Sequence, residues 1–400
     1  MNYPNSHRVS LLGTMILCVF TFGVFSSLVI AAYPAQAQTE KVLYNFTGGR
    51  DGQSPQSGLT PHGGNLYGTT YSGGLRYGTV FELTPNGGGW TQTVLYAFSG
   101  GADGRYPAYM SVIFDSAGNL YGTTVEGGTN NSGVVFELSP NGKNWTESVL
   151  YNFCSQADCA DGEYPVSSLI MDAAGNLFGG TDNGVFELSP SGGGWTEQVI
   201  YNYGVDSENS SGLTMDAGGN IFGIIYVHTY RQEYSKVFEL SPNGGGGWTP
   251  TVLHKFGGVD ANGTPVLDQA GSLYGTTGPS KKNNGTIYKL TEKNGKWMNK
   301  PLHVFNGGDG NYPWGGLVFD SAGNIYGTTL YGGQYGFGTV FELVATARKN
   351  KYTEKILWDF NQANGAVPVN SLLLNDSGNI YGTTMGGGSN GQGVVFELTP

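Results

Sequence analysis

Short apolar runs alternate along most of the chain with stretches rich in glycine, asparagine and aspartate. Residues 111–153 contain four such runs, at 111–115, 120–124, 133–138 and 145–153. Short runs of this kind, bounded by turn-forming residues, are typical of β-strands and do not suit a helical bundle. The pattern therefore predicts an all-β fold whose strands are joined by short turns.

One five-residue motif recurs seven times. Its copies begin with Leu or Ile, continue with Tyr or Phe and then Gly, and lie 44 to 57 residues apart, at 66–70, 120–124, 177–181, 221–225, 273–277, 325–329 and 380–384. Four strands per repeat at this spacing are typical of a β-propeller blade, since one such sheet buries both faces only between neighbours. We predict seven four-stranded blades in a single domain at residues 38–400.

The two ends of the repeat array complement each other. Residues 42–46 have the sequence of a fourth strand with no strands before it, and residues 393–398 have the sequence of a third strand with no fourth strand after it. Pairing the two completes the last blade and removes an exposed sheet edge. We therefore predict a closed seven-bladed β-propeller in which the N-terminal strand pairs with the C-terminal blade.

The first 37 residues have the features of an export signal. A long apolar stretch at 11–32 follows Arg8 and precedes Ala35-Gln36-Ala37, which fits a small-residue cleavage pattern. We predict a signal peptide cleaved after Ala37 and a secreted or periplasmic protein without membrane insertion after cleavage. The alternative is an uncleaved N-terminal membrane anchor, because the apolar stretch is longer than most signal peptides require.

Composition narrows the possible partners. Only 12% of the residues are charged and the net charge is −11, with no basic cluster. This composition does not suit binding to the phosphate backbone of nucleic acid. In an exported protein, Cys154 and Cys159 are expected to form a local disulfide, and a metal-binding pair is the alternative. We expect a monomer.

The repeated Leu-Tyr-Gly-Thr-Thr, Gly-Thr-Val-Phe-Glu-Leu and Val-Leu-Tyr-x-Phe segments resemble the GloVer tandem-repeat family of exported bacterial choice-of-anchor proteins. The resemblance covers about residues 42–400. It implies export and a repeat β fold, and it implies no catalytic activity.

Several repeated polar residues are expected to be structural. A glutamate in the third strand of most repeats lies between Phe and Leu, where burial is costly unless the carboxylate is hydrogen-bonded. We predict one such bond within each blade for Glu82, Glu137, Glu187, Glu239, Glu342 and Glu397, with Lys289 replacing the glutamate in the fifth repeat.

The connections from one blade to the next carry the candidate binding residues. Six of them contain an aspartate, and we list these as Asp51, Asp103, Asp161, Asp206, Asp260 and Asp309. Aromatic residues near them, which are able to stack on sugar rings, are Tyr106, Tyr164, Tyr312 and Trp314. One hypothesis is a face that binds a polyhydroxylated ligand, with calcium as a candidate ion. The alternative is that Asp-Gly only forms a tight turn.

No catalytic or metal-binding motif is recognisable. The leading hypothesis is an exported, non-catalytic propeller that binds a carbohydrate or a protein of the cell envelope. The alternatives are a propeller-type glycan hydrolase or lyase and a passive structural envelope protein. The fourth repeat departs most from the pattern, at residues 226–234. Such an insertion is a common place for function in repeat proteins, although loop drift explains it equally well.

Overall fold

Seven antiparallel sheets account for the strands in the described part of the chain. A computed structural model describes residues 39–399 except 108, 110, 205–206, 210–211, 229–232 and 349. The predicted signal peptide at 1–37 and the candidate Asp206 lie outside the described residues. The described residues belong to one compact unit within Gln38–Pro400.

Each sheet is one blade, and its strands run from the centre of the ring outward. In blade 2 they are Ile113–Phe114, Leu120–Thr124, Val134–Asn141 and Asn144–Asn152. The strands of blade 1 are Thr60–His62, Asn65–Thr70, Thr79–Pro85 and Trp90–Ala97, and those of blade 3 are Ile170–Met171, Leu177–Gly180, Gly184–Ser191 and Gly194–Asn202.

Blades 4 to 7 follow the same order with local changes. Blade 4 contains Ser207–Asn209, Thr214–Met215, Ile221–His228, Glu233–Pro242 and Trp248–Gly257, and blade 5 contains Ala261–Leu267, Leu273–Thr277, Thr286–Lys293 and Lys296–Val304. Blade 6 contains Asn311–Pro313, Val318–Phe319, Ile325–Tyr331, Thr339–Ala345 and Tyr352–Asp359, and blade 7 contains Leu373–Leu374, Ile380–Thr384, Val394–Thr399 and Thr39–Asn45. A short 3-10 helix, Ala157–Cys159, lies between blades 2 and 3.

The innermost strands are shorter than the sequence pattern predicts. In blade 2 the predicted run 111–115 forms a strand only at Ile113–Phe114. The reason is visible at Ser111, whose amide donates to Ser168 Oγ of the next blade at 2.8 Å instead of pairing within its own sheet. The start of this inner segment therefore bonds to the neighbouring blade rather than to a strand of its own sheet.

The predicted closure of the ring is confirmed. Thr39–Asn45 pairs antiparallel with Val394–Thr399, with Val42 opposite Phe396. The Phe46 amide extends this pairing by donating to the Gly393 carbonyl at 3.1 Å. The N-terminal strand is thus the outermost strand of blade 7, and it covers the sheet edge that the third strand would otherwise expose.

The hydrophobic core consists of seven clusters, one at each contact between neighbouring blades. An open row of seven blades has only six such contacts, so the seventh closes the ring. It joins Leu43 and Phe46 of blade 7 to Leu66 and Phe81 of blade 1. The Phe46 and Phe81 rings meet edge to face at 5.2 Å. Aromatic pairs, either edge to face or tilted, recur at the other contacts.

The recurrent glycine of the five-residue motif is explained by this core. A Cβ on Gly122 would lie 2.6 Å from the Phe136 ring of the adjacent strand, and Gly68 and Phe81 repeat the arrangement at 2.7 Å. Only glycine lets the buried phenylalanine cross the neighbouring strand this closely.

The predicted structural role of the third-strand glutamates is confirmed. Glu82 accepts hydrogen bonds from Asn65 Nδ2 and from the Tyr67 hydroxyl, both at 2.6 Å. In blade 5 the equivalent side chain is a donor instead of an acceptor, because Lys289 donates to the Tyr274 hydroxyl at 2.6 Å and to Asp268 at 3.1 Å. The other glutamates bond to residues of their own blades, namely Glu137 to Ser139, Glu187 to Ser189, Glu239 to Ser241, Glu342 to Tyr326 and Glu397 to Asn379 and Tyr381.

The structure joins Cys154 and Cys159 in a disulfide, with their Cα atoms 4.0 Å apart. The bond closes a tight loop around the 3-10 helix. Among the described residues, no helix is long and apolar enough to span a bilayer.

Candidate functional site

Most of the predicted aspartates are engaged by their own loops. The Asp103 carboxylate accepts hydrogen bonds from the Ser99 amide at 2.6 Å, the Ser99 hydroxyl at 2.6 Å and the Tyr96 hydroxyl at 3.1 Å. Asp51 has the same partners in Thr47 and Tyr44, and Asp161 has them in Ser155 and Tyr151. Asp161 is fully buried. These carboxylates therefore hold the turn that leads into the next blade.

Asp309 repeats this role with different neighbours. Its carboxylate accepts from the Asn306 amide at 2.8 Å and contacts His303 Nε2 at 3.1 Å. Within the described chain, the only three potential metal ligands within 4.8 Å of one another are Cys154, Cys159 and Glu163. Asp51, Asp103, Asp161 and Asp309 therefore do not form a common cation site, and a ligand role for any of them stays a prediction.

Asp260 occupies a different environment. It lies directly before Ala261–Leu267, the long inner strand of blade 5. Its carboxylate accepts hydrogen bonds from the hydroxyls of Tyr226 in blade 4 and Tyr312 in blade 6. Burial, followed by the nearby charge of Glu233, raises the pKa of Asp260. This carboxylate is thus held by residues from neighbouring blades rather than by its own turn.

Tyr226 connects two carboxylates. Its hydroxyl is hydrogen-bonded to both Glu233 and Asp260. Burial, together with the charges of Asp260 and Glu233, raises the pKa of Tyr226 to about 12. Because a hydroxyl donates only one proton, Tyr226 donates to only one of the two carboxylates at a time. The arrangement is able to hold and exchange a proton.

Asp260 and Tyr226 line a cavity of about 450 Å³ at the centre of the ring. Six of the seven blades contribute to its wall. Two aromatic side chains, Tyr109 and Trp314, lie on this wall together with the amides Asn262 and Asn370. None of the lining residues in the part of the chain that the structure describes is Lys, Arg or His. The cavity is therefore aromatic, polar and acidic.

Small residues form much of the remaining wall, because neighbouring blades approach closely there. A Cβ on Gly315 would lie 2.6 Å from the carbonyl oxygen of Asn370, and a Cβ on Gly263 would lie 2.6 Å from that of Gly315. Ser167, Ser168 and Ser371 contribute to the same wall. The wall thus offers backbone and hydroxyl groups, and the larger side chains mark the positions where a ligand would find specific contacts.

The four predicted aromatic residues are divided between two places. Tyr312 and Trp314 lie together, with ring centroids 5.3 Å apart. Tyr312 is hydrogen-bonded to Asp260, and Trp314 lines the same cavity as Asp260. Tyr106 instead stacks on Tyr71 at 4.8 Å, and Tyr164 is 38% exposed in blade 3. Of the predicted binding residues that the structure describes, only Asp260 and Trp314 line the cavity.

Sequence reasoning missed Tyr109, Asn262 and Asn370. One signal was available in the sequence, because a proline recurs at the entry to blades 1, 2, 3, 6 and 7. In the structure the residue before each of these prolines has a positive φ, at Ser54, Tyr106, Tyr164, Tyr312 and Val367. The proline then packs on the glycine just before the third strand of the preceding blade, as Pro107 does on Gly78. Blades 4 and 5 lack this pair. The two blades without this pair are the ones that contain Asp260, Asn262 and the insertion with Tyr226.

The ring of blades and its central cavity define a seven-bladed β-propeller with a candidate ligand site on its axis. The sequence profile described as the Gloeobacter/Verrucomicrobia repeat, Gleo_Verruco, matches residues 27–185, 77–278 and 261–400. The chain therefore belongs to this repeat family, which confirms the resemblance seen in its motifs. No curated protein matches the chain in sequence.

Solved structures resemble the chain in fold. The extracellular domain of the putative hybrid two-component system BT3049 from B. thetaiotaomicron aligns with a TM-score of 0.54 at 14% identity, over 90% of this chain and 41% of that one. The chain thus spans less than half of that domain. A polysaccharide lyase of family PL25, an ulvan lyase bound to -[GlcA(1-4)Rha3S]-, aligns with a TM-score of 0.55 at 11% identity, over 86% of this chain and 93% of that one. At these identities the similarity shows the fold alone.

Proposed function

We propose that the protein is an exported propeller that binds a carbohydrate in the cavity on the ring axis. The observation that carries this proposal is the combination of Trp314 and Tyr109 with Asp260, Asn262 and Asn370 around one cavity. Aromatic faces pack against the apolar faces of sugar rings, and carboxylate and amide groups bond to their hydroxyls. A volume of about 450 Å³ also lies within the range of about 300–1,000 Å³ found for ligand pockets.

The structural neighbours are compatible with this proposal without carrying it. The ulvan lyase shows that a propeller of this kind can act on a polysaccharide. Its 11% identity transfers no residue to this chain, so the argument rests on the cavity.

A glycan array probed with residues 38–400, with and without calcium, tests the proposal. We expect binding to a defined group of glycans, with calcium dependence only if the aspartate loops hold an ion. Titration calorimetry with an array ligand then compares Trp314→Ala with Tyr335→Ala. Tyr335 is 50% exposed and does not line the cavity.

We expect Trp314→Ala to weaken binding at least tenfold and Tyr335→Ala to leave it unchanged. An array without ligands, or a Trp314→Ala variant that binds normally, contradicts carbohydrate binding in this cavity. In the first case a protein ligand or a passive structural role in the envelope becomes the better hypothesis.

Acid–base catalysis on a glycan is the second candidate function. The contact of the Tyr226 hydroxyl with both Asp260 and Glu233 favours it, because the raised pKa of Asp260 lets this carboxyl group keep a proton, and donate it, at a higher pH than an ordinary aspartic acid. Mass spectrometry of a bound polysaccharide after incubation is the test. Cleavage products that disappear in Asp260→Asn support catalysis, and an intact ligand supports pure binding.

Export through a cleaved signal peptide is also part of the proposal. N-terminal sequencing of the protein recovered from the medium or the periplasm is expected to begin at Gln38. A membrane-bound product that retains residues 1–37 supports the N-terminal anchor instead.

A further inference from the structure

The charge of the cavity limits which carbohydrates suit it. Asp260 is the only Asp or Glu among its described lining residues, and no cationic side chain accompanies it. Glu233 adds a second negative charge that is close enough to raise the pKa of Asp260. A ligand carboxylate or sulfate placed here would be repelled by both groups without compensation.

The aromatic side chains favour a ring-shaped ligand that carries a positive charge. Tyr109 lines the cavity while 46% exposed, and its φ of 60° is a left-handed conformation that a tyrosine rarely adopts. Trp314 is positioned by its edge-to-face contact with Tyr312. A cation near such faces is attracted by the ring electrons, in addition to the packing of the sugar itself.

Asn262 provides an observation that is independent of charge. It is 1% exposed and lines the cavity, and its Nδ2 has no hydrogen-bond partner in the described structure. Buried polar atoms are rarely left unpaired, so this donor points to a ligand oxygen, such as a hydroxyl. The cavity thus offers an anion at Asp260 and a donor at Asn262 within one wall.

We infer that the carbohydrate is an amino sugar with a free ammonium group, as in an oligosaccharide of glucosamine, and that its ammonium pairs with Asp260. This inference rests on the proposed carbohydrate binding. A charge-assisted hydrogen bond from the ammonium stabilises the desolvated carboxylate, which a neutral hydroxyl does less well. The same sugar packs its ring against Trp314 or Tyr109 and accepts from Asn262.

Titration calorimetry at pH 6.5 with three hexasaccharides tests the inference: one of glucosamine, one of N-acetylglucosamine and one of galacturonic acid. We expect the glucosamine hexamer to bind at least tenfold more tightly than the acetylated one, and the uronic acid hexamer not to bind. Asp260→Asn removes the difference between the first two. Asp376→Asn is the matched control, because it removes one charge from an exposed hairpin turn.

The salt dependence of binding tests the same inference with the wild-type protein alone. Raising sodium chloride from 0.05 to 0.5 M is expected to weaken binding of the glucosamine hexamer and to leave the acetylated hexamer unaffected. If the acetylated hexamer binds as tightly as the glucosamine hexamer and Trp314→Ala abolishes both, the amino-sugar inference is wrong while carbohydrate binding stands. If no hexamer binds and the array is also blank, both proposals fail.

Discussion

Asp103 and Asp260 occupy corresponding connections between blades, yet their surroundings differ. Asp103 receives its hydrogen bonds from Ser99, Tyr96 and Gly101, which belong to its own loop and the strand before it. Asp260 is held by Tyr226 in a strand of blade 4 and by Tyr312 in a strand of blade 6, and it lines the central cavity. The repeated aspartate therefore stabilises the connections between blades, whereas the candidate ligand-binding aspartate lies where the repeat is interrupted.

The largest expected effect is the loss of stability when a core side chain between two blades is removed, compared with the loss when a cavity side chain is removed. Phe153 is fully buried and meets Phe186 of the next blade at 5.0 Å. Phe153→Ala is expected to lower the free energy of unfolding by about 3–5 kcal/mol. Trp314→Ala is expected to cost much less stability, because the side chain lies at the cavity and is only partly buried. Chemical denaturation of both variants measures the difference, and similar losses would contradict the division of roles.

A smaller effect compares two aspartates directly. Asp161→Asn weakens the hydrogen bonds that a fully buried carboxylate accepts from Tyr151 and Ser155, so we expect a loss of about 1–3 kcal/mol. Asp260→Asn removes a charge that burial and Glu233 disfavour, so we expect unchanged or slightly higher stability. Thermal unfolding of the two variants at pH 7 is the measurement. A larger loss for Asp260→Asn would show that Asp260 has the same role as the loop aspartates.

The smallest effect concerns glutamates of the outermost strands. Burial raises the pKa of Glu147, Glu197 and Glu354 to about 7, and the loop aspartates Asp103, Asp161 and Asp309 add to this. The folded state therefore binds more protons than the unfolded state between about pH 4.5 and pH 7, so their contribution to stability is present below pH 4.5 and is lost as the pH rises to 7. Blade 1 has Gln92 at this position, and its amide donates to the Asp51 carbonyl at 3.1 Å.

A triple variant with glutamine at these three positions isolates the effect. We expect it to be more stable than the wild type at pH 8 by about 0.5 kcal/mol per site, after allowance for solvent screening, and nearly equal at pH 4.5. Burial lowers the pKa of His254 and His303, which changes stability in the opposite direction in the same range, so the comparison must be between variant and wild type. A difference that does not change with pH would contradict this account.

The ring itself could be predicted from the sequence. The fourth-strand character of residues 42–46 and the third-strand character of residues 393–398 are local patterns, and they correctly specify the pairing of Thr39–Asn45 with Val394–Thr399. The length of the inner strands could not be predicted, because the bond from Ser111 to Ser168 depends on how closely two blades approach.

The candidate site was predictable only in part. Asp260 and Trp314 stand in the connections where a propeller gathers its loops, and both line the cavity. Tyr109 and Asn370 come from opposite ends of the chain, and nothing in their local sequence shows that they share a wall. The aspartates that serve as turn acceptors have the same Asp-Gly pattern as a binding loop, so only the position of partners such as Tyr96 distinguishes the two roles.

The most direct test of the account is a titration of the array-selected oligosaccharide into Trp314→Ala and Tyr106→Ala. Both aromatic residues follow blade connections, but only Trp314 lines the cavity, and Tyr106 stacks on Tyr71. For a site on the axis of the ring, we expect a dissociation constant at least tenfold higher for Trp314→Ala and an unchanged one for Tyr106→Ala. The reverse result would place binding on the outer loops and contradict a site on the axis of the ring.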